Sequence, residues 1–180
     1  MSHALVPLAQ GCEELEAVTI TDLLVRAGIE VTTAGLDDKT VIASRGTHLI
    51  PDTSIQNIKN RQFDLIVLPG GLPGANHLRD DTNLQALLKQ HAANNKLIAA
   101  ICAAPKALAA AGLLDGKQVT CYPGALNEYP QLNVCSTAIE IDGQIITSRG
   151  PGTAMDFTLT LIELLKGRVK RDEIENQLLR

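Results

Sequence analysis

Residues 97–105 constrain the fold most strongly, because an apolar run ends there in a cysteine and continues into the start of a helix. The run LIAAI is typical of a buried strand, and Pro105 suits the first turn of a helix. Alanines on both sides of Cys102 permit a sharp strand-to-helix turn, which lifts a nucleophile above a parallel sheet. The segment predicts an α/β fold with a thiol at a tight corner.

Cys102 has two interpretations at this corner. At the N-terminus of a helix, the peptide dipoles favour the thiolate, which is the form that attacks electrophiles and is oxidised. Free cysteines are also among the most buried residues, so the same side chain suits a purely structural place in the core.

Composition favours a parallel sheet covered by helices. The chain has 180 residues, of which 45% are hydrophobic and 2% aromatic, so its core must be built from Ala, Val, Ile and Leu. Strand and helix patterns alternate without a linker, which predicts one domain over residues 1–180. Strands are predicted at residues 4–9, 29–34, 63–68, 97–101, 138–141 and 144–147, with a strand-like stretch at 41–50 that breaks at 45–46. Helices are predicted at residues 13–27, 82–94 and 153–166, from Pro105, and over a short segment from Arg171.

Charge and hydropathy argue against several classes of partner. The formal net charge is −4 and there is no run of Lys and Arg, so no nucleic-acid surface is predicted. No apolar stretch reaches about 18 residues, and the chain opens on a strand-like segment rather than on a signal sequence. We therefore expect a soluble, cytoplasmic protein without a membrane partner.

Cysteine and histidine spacing predicts neither a metal site nor a disulfide framework. The four cysteines lie far apart without a Cys-x-x-Cys pair, and the four histidines lack ligand spacing. We expect no metal and no cofactor.

Three loops are predicted to converge beyond the carboxyl ends of the strands, where open parallel sheets bind their ligands. They comprise residues 10–13, 69–71 and 102–104. Bare backbone N–H groups at Gly70 and Gly71, together with that of Ala103, would form a hole for a developing oxyanion. The alternative is a plain Pro-Gly-Gly turn.

Glu16 is the sharpest clue in the first helix. By the helix period it lies on the same face as Ile20, Leu23 and Ala27, so its carboxyl points into the core. Desolvation would raise its pKa, allow it to hydrogen-bond a thiolate and lower the pKa of Cys102. Alternatively, Glu16 lies in the exposed first turn, where the helix dipole favours a carboxylate. The sequence leaves both positions open.

Four motifs, in order, resemble the ThiJ/PfpI superfamily, in the branch of the parkinsonism-associated protein deglycase. They are GCEELE at residues 11–16, LPGG at 68–71, AICAAP at 100–105 and TSRGPGT at 147–153. The resemblance covers essentially the whole chain. It implies a flavodoxin-like three-layer sandwich with a mainly parallel central sheet and a nucleophile elbow, and a homodimer.

The resemblance also assigns site residues. It implies a reactive cysteine at Cys102, hydrogen-bonded to a protonated glutamate at Glu16. Oxyanion contacts map onto the backbone amides of Gly71 and Ala103.

Three further positions match or depart from the family pattern. Arg26 and Arg45 match arginines found near the site and the dimer contact. Family members with a catalytic histidine carry it before a proline, whereas this chain has Tyr122 before Pro123. A Cys-His pair is therefore unsupported, and Glu16 would serve as both acid and base.

The resemblance implies a glyoxalase or deglycase that needs no metal, glutathione or organic cofactor. Its substrates would be glyoxal, methylglyoxal or their adducts on proteins, attacked by the thiolate while Glu16 shuttles the proton. A redox-sensing, oxidative-stress chaperone that uses oxidation of Cys102 is the alternative. A Cys-dependent amidohydrolase or peptidase is the third hypothesis, and it requires a histidine at the site.

Overall fold

The computed structural model describes residues 2–180, and Met1, the first residue of the predicted 1–180 domain, lies outside that range. The strands of the described residues are β1 (His3–Leu8), β2 (Glu30–Gly35), β3 (Val41–Ile42), β4 (His48–Leu49), β5 (Thr53–Ser54), β6 (Leu65–Leu68), β7 (Leu97–Ile101), β8 (Gln118–Thr120), β9 (Asn133–Cys135), β10 (Ile139–Asp142) and β11 (Ile145–Ser148). The α-helices of the same residues are α1 (Glu14–Arg26), α2 (Ile55–Ile58), α3 (Gly74–Asp80), α4 (Thr82–Ala93), α5 (Pro105–Ala110), α6 (Ala154–Lys166) and α7 (Arg168–Gln177), and a 3₁₀ turn (Pro151–Thr153) precedes α6.

A seven-stranded sheet forms the middle layer, in the order β10-β11-β7-β6-β1-β2-β5. All neighbours pair in parallel except β10 and β11, which form an antiparallel hairpin. The strands β3 and β4 form a separate antiparallel hairpin, and β8 pairs with β9 in parallel. The sheet is therefore mainly parallel, as the composition predicted.

Alternating side chains divide the core into two layers. On β1, Val6 packs in one cluster with Ile20 of α1 and Phe157 of α6. The neighbouring Leu5 packs in the other cluster with Leu88 of α4. Because successive strand residues point to opposite faces, one buried strand serves both helix layers. This arrangement makes the three-layer sandwich.

Most predicted elements are confirmed to within a few residues. The strand 97–101 is confirmed as β7, and Asp81 caps α4 by accepting a hydrogen bond from the Leu84 amide at 2.8 Å. The last helix begins at Arg168, three residues before the predicted Arg171, because Gly167 alone separates it from α6.

Several short elements had no clear sequence signal. The helix α3 begins at Gly74 after Pro73 and has no side-chain cap, and α2, β5, β8 and β9 contain two to four residues each. Within residues 2–180, no helix combines the length and the apolarity needed to cross a membrane.

Candidate active site

Cys102 occupies a sharp corner between β7 and α5. Its φ angle of +63° is left-handed, a conformation that costs a residue with a side chain roughly 1–3 kcal/mol. The Cys102 amide donates to the Ser148 carbonyl at 2.9 Å, and the Cys102 carbonyl accepts from the Tyr122 amide at 2.8 Å. The predicted corner is confirmed as a strained turn that its neighbours hold from both sides.

The loop after β6 brings two glycines against this corner. A Cβ on Gly70 would lie 2.8 Å from the Cβ of Cys102 and 2.9 Å from the Ala103 nitrogen. Gly71 has a φ of +89°, and a Cβ there would lie 2.4 Å from the Glu13 nitrogen. Both positions need glycine because backbone and side chain approach too closely for a Cβ. The loops after β1, β6 and β7 therefore converge, as the sequence predicted.

Glu16 reaches the interior from the first turn of α1 and has no exposed surface. Its Oε2 accepts a hydrogen bond of 2.7 Å from the Gly70 amide. Its Oε1 is buried and has no hydrogen-bond partner within residues 2–180. Of the two positions left open by the sequence, the core position is confirmed.

Burial sets the protonation of this carboxyl. It raises the pKa of Glu16 from 4.5 to about 7, against the opposing effects of the Gly70 amide and the Cys102 thiol. Near neutral pH the carboxyl is therefore divided between its protonated and ionised forms, as the sequence predicted.

The Cys102 thiol departs from expectation. Burial, followed by the charge and the hydrogen bond of Glu16, raises the pKa of Cys102 from 9.0 to about 12. The predicted lowering of the thiol pKa is wrong while Glu16 is ionised, because a neighbouring anion and a desolvated site both disfavour a thiolate. Above about pH 7 the pair therefore retains one proton, which the sulfur holds while Glu16 is ionised.

Two backbone amides offset this effect. The N–H groups of Gly71 and Ala103 donate towards the Cys102 sulfur and lower its pKa. These are the two residues to which the resemblance assigns oxyanion contacts. Their positions beside the sulfur suit that role, which stays a prediction.

The start of α1 is clamped to the β3–β4 hairpin, a contact that the sequence did not indicate. The Ser44 hydroxyl lies 3.0 Å from carboxylate oxygens of both Glu13 and Glu14. The Arg45 amide donates to Glu14 at 2.9 Å. Burial acts to raise the pKa of Glu14, but hydrogen bonds from the Glu14 and Arg45 amides and from Ser44 outweigh it and lower the pKa to about 2. The clamp fixes the turn from which Glu16 projects.

The two predicted arginines lie in different places. The guanidinium of Arg45 is 4.0 Å from Glu13 and largely exposed, at the rim of the converging loops. Arg26 lies at the far end of α1 from Glu16 and pairs with Asp22 at 2.8 Å. The structure therefore does not bring Arg26 to the thiol of its own chain, and its place at a dimer contact stays a prediction.

Tyr122 contacts the nucleophile through its backbone, because its amide donates to the Cys102 carbonyl, and 53% of the Tyr122 surface is exposed. Among residues 2–180, no histidine contributes to the pKa shift of Cys102. His77 hydrogen-bonds the Gln10 carbonyl and His91 the Leu97 carbonyl. A Cys-His pair therefore remains unsupported in the described part of the chain.

Comparison with known proteins finds a family and relatives that match most of this chain. The DJ-1/PfpI family matches residues 2–164. "Protein DJ-1 homolog A" of Arabidopsis thaliana is 44% identical over 97% of this chain and 46% of that protein, so the chain spans about half the length of this relative. "Glutathione-independent glyoxalase DJR-1.2" of Caenorhabditis elegans is 34% identical over 92% of this chain and 89% of that protein.

A solved structure shares the whole fold. "Toxoplasma gondii DJ-1, oxidized" superposes with a TM-score of 0.96 at 41% sequence identity, and the match covers 99% of this chain and 98% of that one.

Proposed function

Because this chain belongs to the DJ-1/PfpI family and has its flavodoxin-like three-layer fold, we propose that it is a cysteine enzyme that converts glyoxal and methylglyoxal into hydroxy acids. The observation that carries the proposal is the pair of Cys102 and Glu16, in which a buried carboxyl with an unpartnered oxygen adjoins a thiol on a strained corner. The glyoxalase name of the C. elegans relative supports the same class of substrate.

The first step forms a carbon–sulfur bond. Sulfur attacks the aldehyde carbon while the ionised Glu16 carboxylate accepts the thiol proton, so a free thiolate never needs to accumulate despite the raised pKa of Cys102. The aldehyde oxygen becomes an oxyanion that the Gly71 and Ala103 amides stabilise. It then takes the proton back from Glu16 to give a hemithioacetal, which returns Glu16 to its carboxylate form.

The second step moves a proton between the two carbons. Glu16, ionised again, removes the proton from the carbon bound to sulfur and delivers it to the neighbouring carbonyl carbon. The hydroxyl proton of the hemithioacetal passes to the former carbonyl oxygen, which leaves a thioester and a new hydroxyl group. Water then hydrolyses the thioester and releases the hydroxy acid and the thiol. One carbon is oxidised and the other reduced, so the overall reaction adds one water and needs no external electron acceptor.

The test is formation of lactate from methylglyoxal, followed by NMR with no glutathione added. We expect turnover in the wild type and a loss of at least about 100-fold in both Cys102→Ser and Glu16→Gln. Cys135→Ser is the matched control because that thiol lies in β9 and contributes to the pKa shift of neither Cys102 nor Glu16, so turnover should stay unchanged. Full turnover in Cys102→Ser would refute the proposal.

Removal of adducts from proteins is the finer form of this activity. The same variants, incubated with a peptide whose lysine already carries a methylglyoxal adduct, distinguish the two. If the adduct is lost no faster than the free aldehyde is consumed, the protein is a scavenger. If purified adduct is lost faster than the free aldehyde is consumed, the protein is a deglycase.

Oxidation of Cys102 is a second candidate function, favoured by the amides of Gly71 and Ala103 that face the sulfur. The sulfur would take one oxygen atom from each of two peroxide molecules, each of which leaves as water, to give a sulfinate that those N–H groups stabilise. The Toxoplasma gondii relative is itself described as oxidised. A chaperone role requires that peroxide change the suppression of aggregation by the wild type and not by Cys102→Ser.

We also propose a homodimer formed through α1. Leu15, Val18 and Val25 of this helix are each about half exposed, and Met155 lines a surface pocket together with Leu15. Such an apolar surface is typical of an interface.

The free state of all four cysteines suits a reducing compartment such as the cytoplasm.

A further inference from the structure

A cavity of about 240 Å³ lies at the edge of the sheet opposite to the thiol, beside the end of α4. Its walls include Arg61 and Phe63 from the loop before β6, and His91 from α4. The strand β7 runs from this edge to Cys102, and its length places the cavity roughly 15 Å from the sulfur. The cavity is therefore separate from the candidate active site.

The guanidinium of Arg61 provides the positive charge of this cavity. The Arg61 guanidinium lies over the Phe63 ring, 5.6 Å from its centroid. Phe63 is itself buried and packs edge-on against His3, which fixes the ring. The Lys96 ammonium, also in the wall, is neutralised by Asp64 at 2.9 Å. No ion pair within residues 2–180 uses Arg61, so its charge remains available to an anion.

His91 provides an unmatched acceptor. The side chain is 6% exposed, and its Nε2 lies 3.0 Å from the Leu97 carbonyl. Because a carbonyl only accepts, the Nε2 atom carries a proton. Burial lowers the pKa of His91, so at neutral pH the ring is uncharged and Nδ1 carries a lone pair. Nδ1 has no hydrogen-bond partner within residues 2–180 and is not fully enclosed, so it can accept a hydrogen bond from a donor that enters the cavity.

An apolar wall completes the cavity. Leu87 is 5% exposed and lines the same cavity as His91, which lies four residues later in α4. We propose that this cavity binds a small aromatic carboxylate that also carries a hydroxyl or N–H donor. The carboxylate pairs with Arg61, the ring packs on Leu87 and the donor reaches Nδ1 of His91.

Other ligand classes fit less well. A phosphate dianion would find one uncompensated cation here, and it would leave the Leu87 wall without a partner. A purely apolar molecule would desolvate Arg61 and leave His91 unmatched, at a cost in free energy for both groups. Both classes are useful comparisons in the test.

The experiment is isothermal titration calorimetry of the full chain with 4-hydroxybenzoate. We expect saturable binding to one site per chain, with a dissociation constant below about 1 mM. Arg61→Ala should weaken binding about tenfold or more, because a charge-assisted hydrogen bond is lost. Lys89→Ala is the matched control, since it removes an exposed cation from the same helix as His91 without touching the cavity.

The role of His91 is tested with ligands rather than by changing a buried residue. Benzoate lacks the donor and 4-hydroxybenzyl alcohol lacks the charge, so each should bind at least about fivefold more weakly than 4-hydroxybenzoate. The proposal is overturned if no saturable binding occurs, if Arg61→Ala and Lys89→Ala behave alike, or if inorganic phosphate binds as tightly. Methylglyoxal turnover plays no part in these readouts.

Discussion

Glu16→Gln should change how the stability of the protein depends on pH. The carboxyl has a pKa of 4.5 when unperturbed and of about 7 in the folded protein. Between these two values the unfolded chain has released a proton that the folded chain still holds. The free energy of unfolding therefore falls as pH rises through this range. The stabilisation is fully present below pH 4.5 and is lost above about pH 7.

The magnitude follows from the same two values. Their difference, at about 1.4 kcal/mol per pH unit, gives about 3 kcal/mol. This conversion is appropriate because Glu16 is fully buried. Glutamine has no proton to release, so the stability of Glu16→Gln relative to the wild type should rise by about 3 kcal/mol from the acidic to the neutral end of the range.

Urea unfolding at a series of pH values measures this difference. Glu14→Gln is the matched control in the same helix turn, because the Glu14 pKa is lowered to about 2. Its stabilising effect is lost only as pH falls from 4.5 through about 2, so the difference between Glu14→Gln and the wild type should stay flat between pH 5 and pH 8. A flat difference for Glu16→Gln as well would refute the buried, shifted carboxyl.

Three further predictions concern the corner, the thiol and the surface. Gly70→Ala should destabilise the protein by about 1–3 kcal/mol and reduce turnover, since its Cβ would lie 2.8 Å from that of Cys102; thermal unfolding of Gly152→Ala, where the Cβ meets nothing within 4 Å, is the control. Iodoacetamide should alkylate the wild type at Cys102, and Cys102→Ser should lose this alkylation while its circular dichroism spectrum keeps the same secondary structure. Equal total alkylation in Cys102→Ser and the wild type would place the reactive thiol at another cysteine. Val18→Glu should shift the mass measured by light scattering from dimer to monomer, whereas an unchanged mass would exclude α1 as the interface.

The fold was predictable where apolar patterns are long. The run at residues 97–101 is buried on both faces, and its pattern located β7 to the residue. The helix α3 was missed because it starts at a Pro-Gly pair, which usually signals a turn. The strands β8 and β9 have three residues each, too few for a period of two to be recognised.

The site was predictable in its membership more than in its electrostatics. Helix periodicity placed Glu16 towards the core, and the glycine pair indicated a close approach of the backbone. The direction of the thiol pKa shift depends on the depth of burial and on the charge of Glu16 when sulfur titrates. The clamp of Ser44 on Glu13 and Glu14 joins residues about thirty positions apart, and no local pattern indicates such a contact.

The pH profile of kcat/KM for methylglyoxal tests the central claim most directly, namely that the Glu16 carboxylate accepts the proton of the attacking thiol. We expect kcat/KM to rise with pH through an apparent pKa near 7, the value to which burial raises Glu16. The residual activity of Glu16→Gln should lack this rise. A wild-type profile that is flat through neutral pH, or the same rise in Glu16→Gln, would contradict the account.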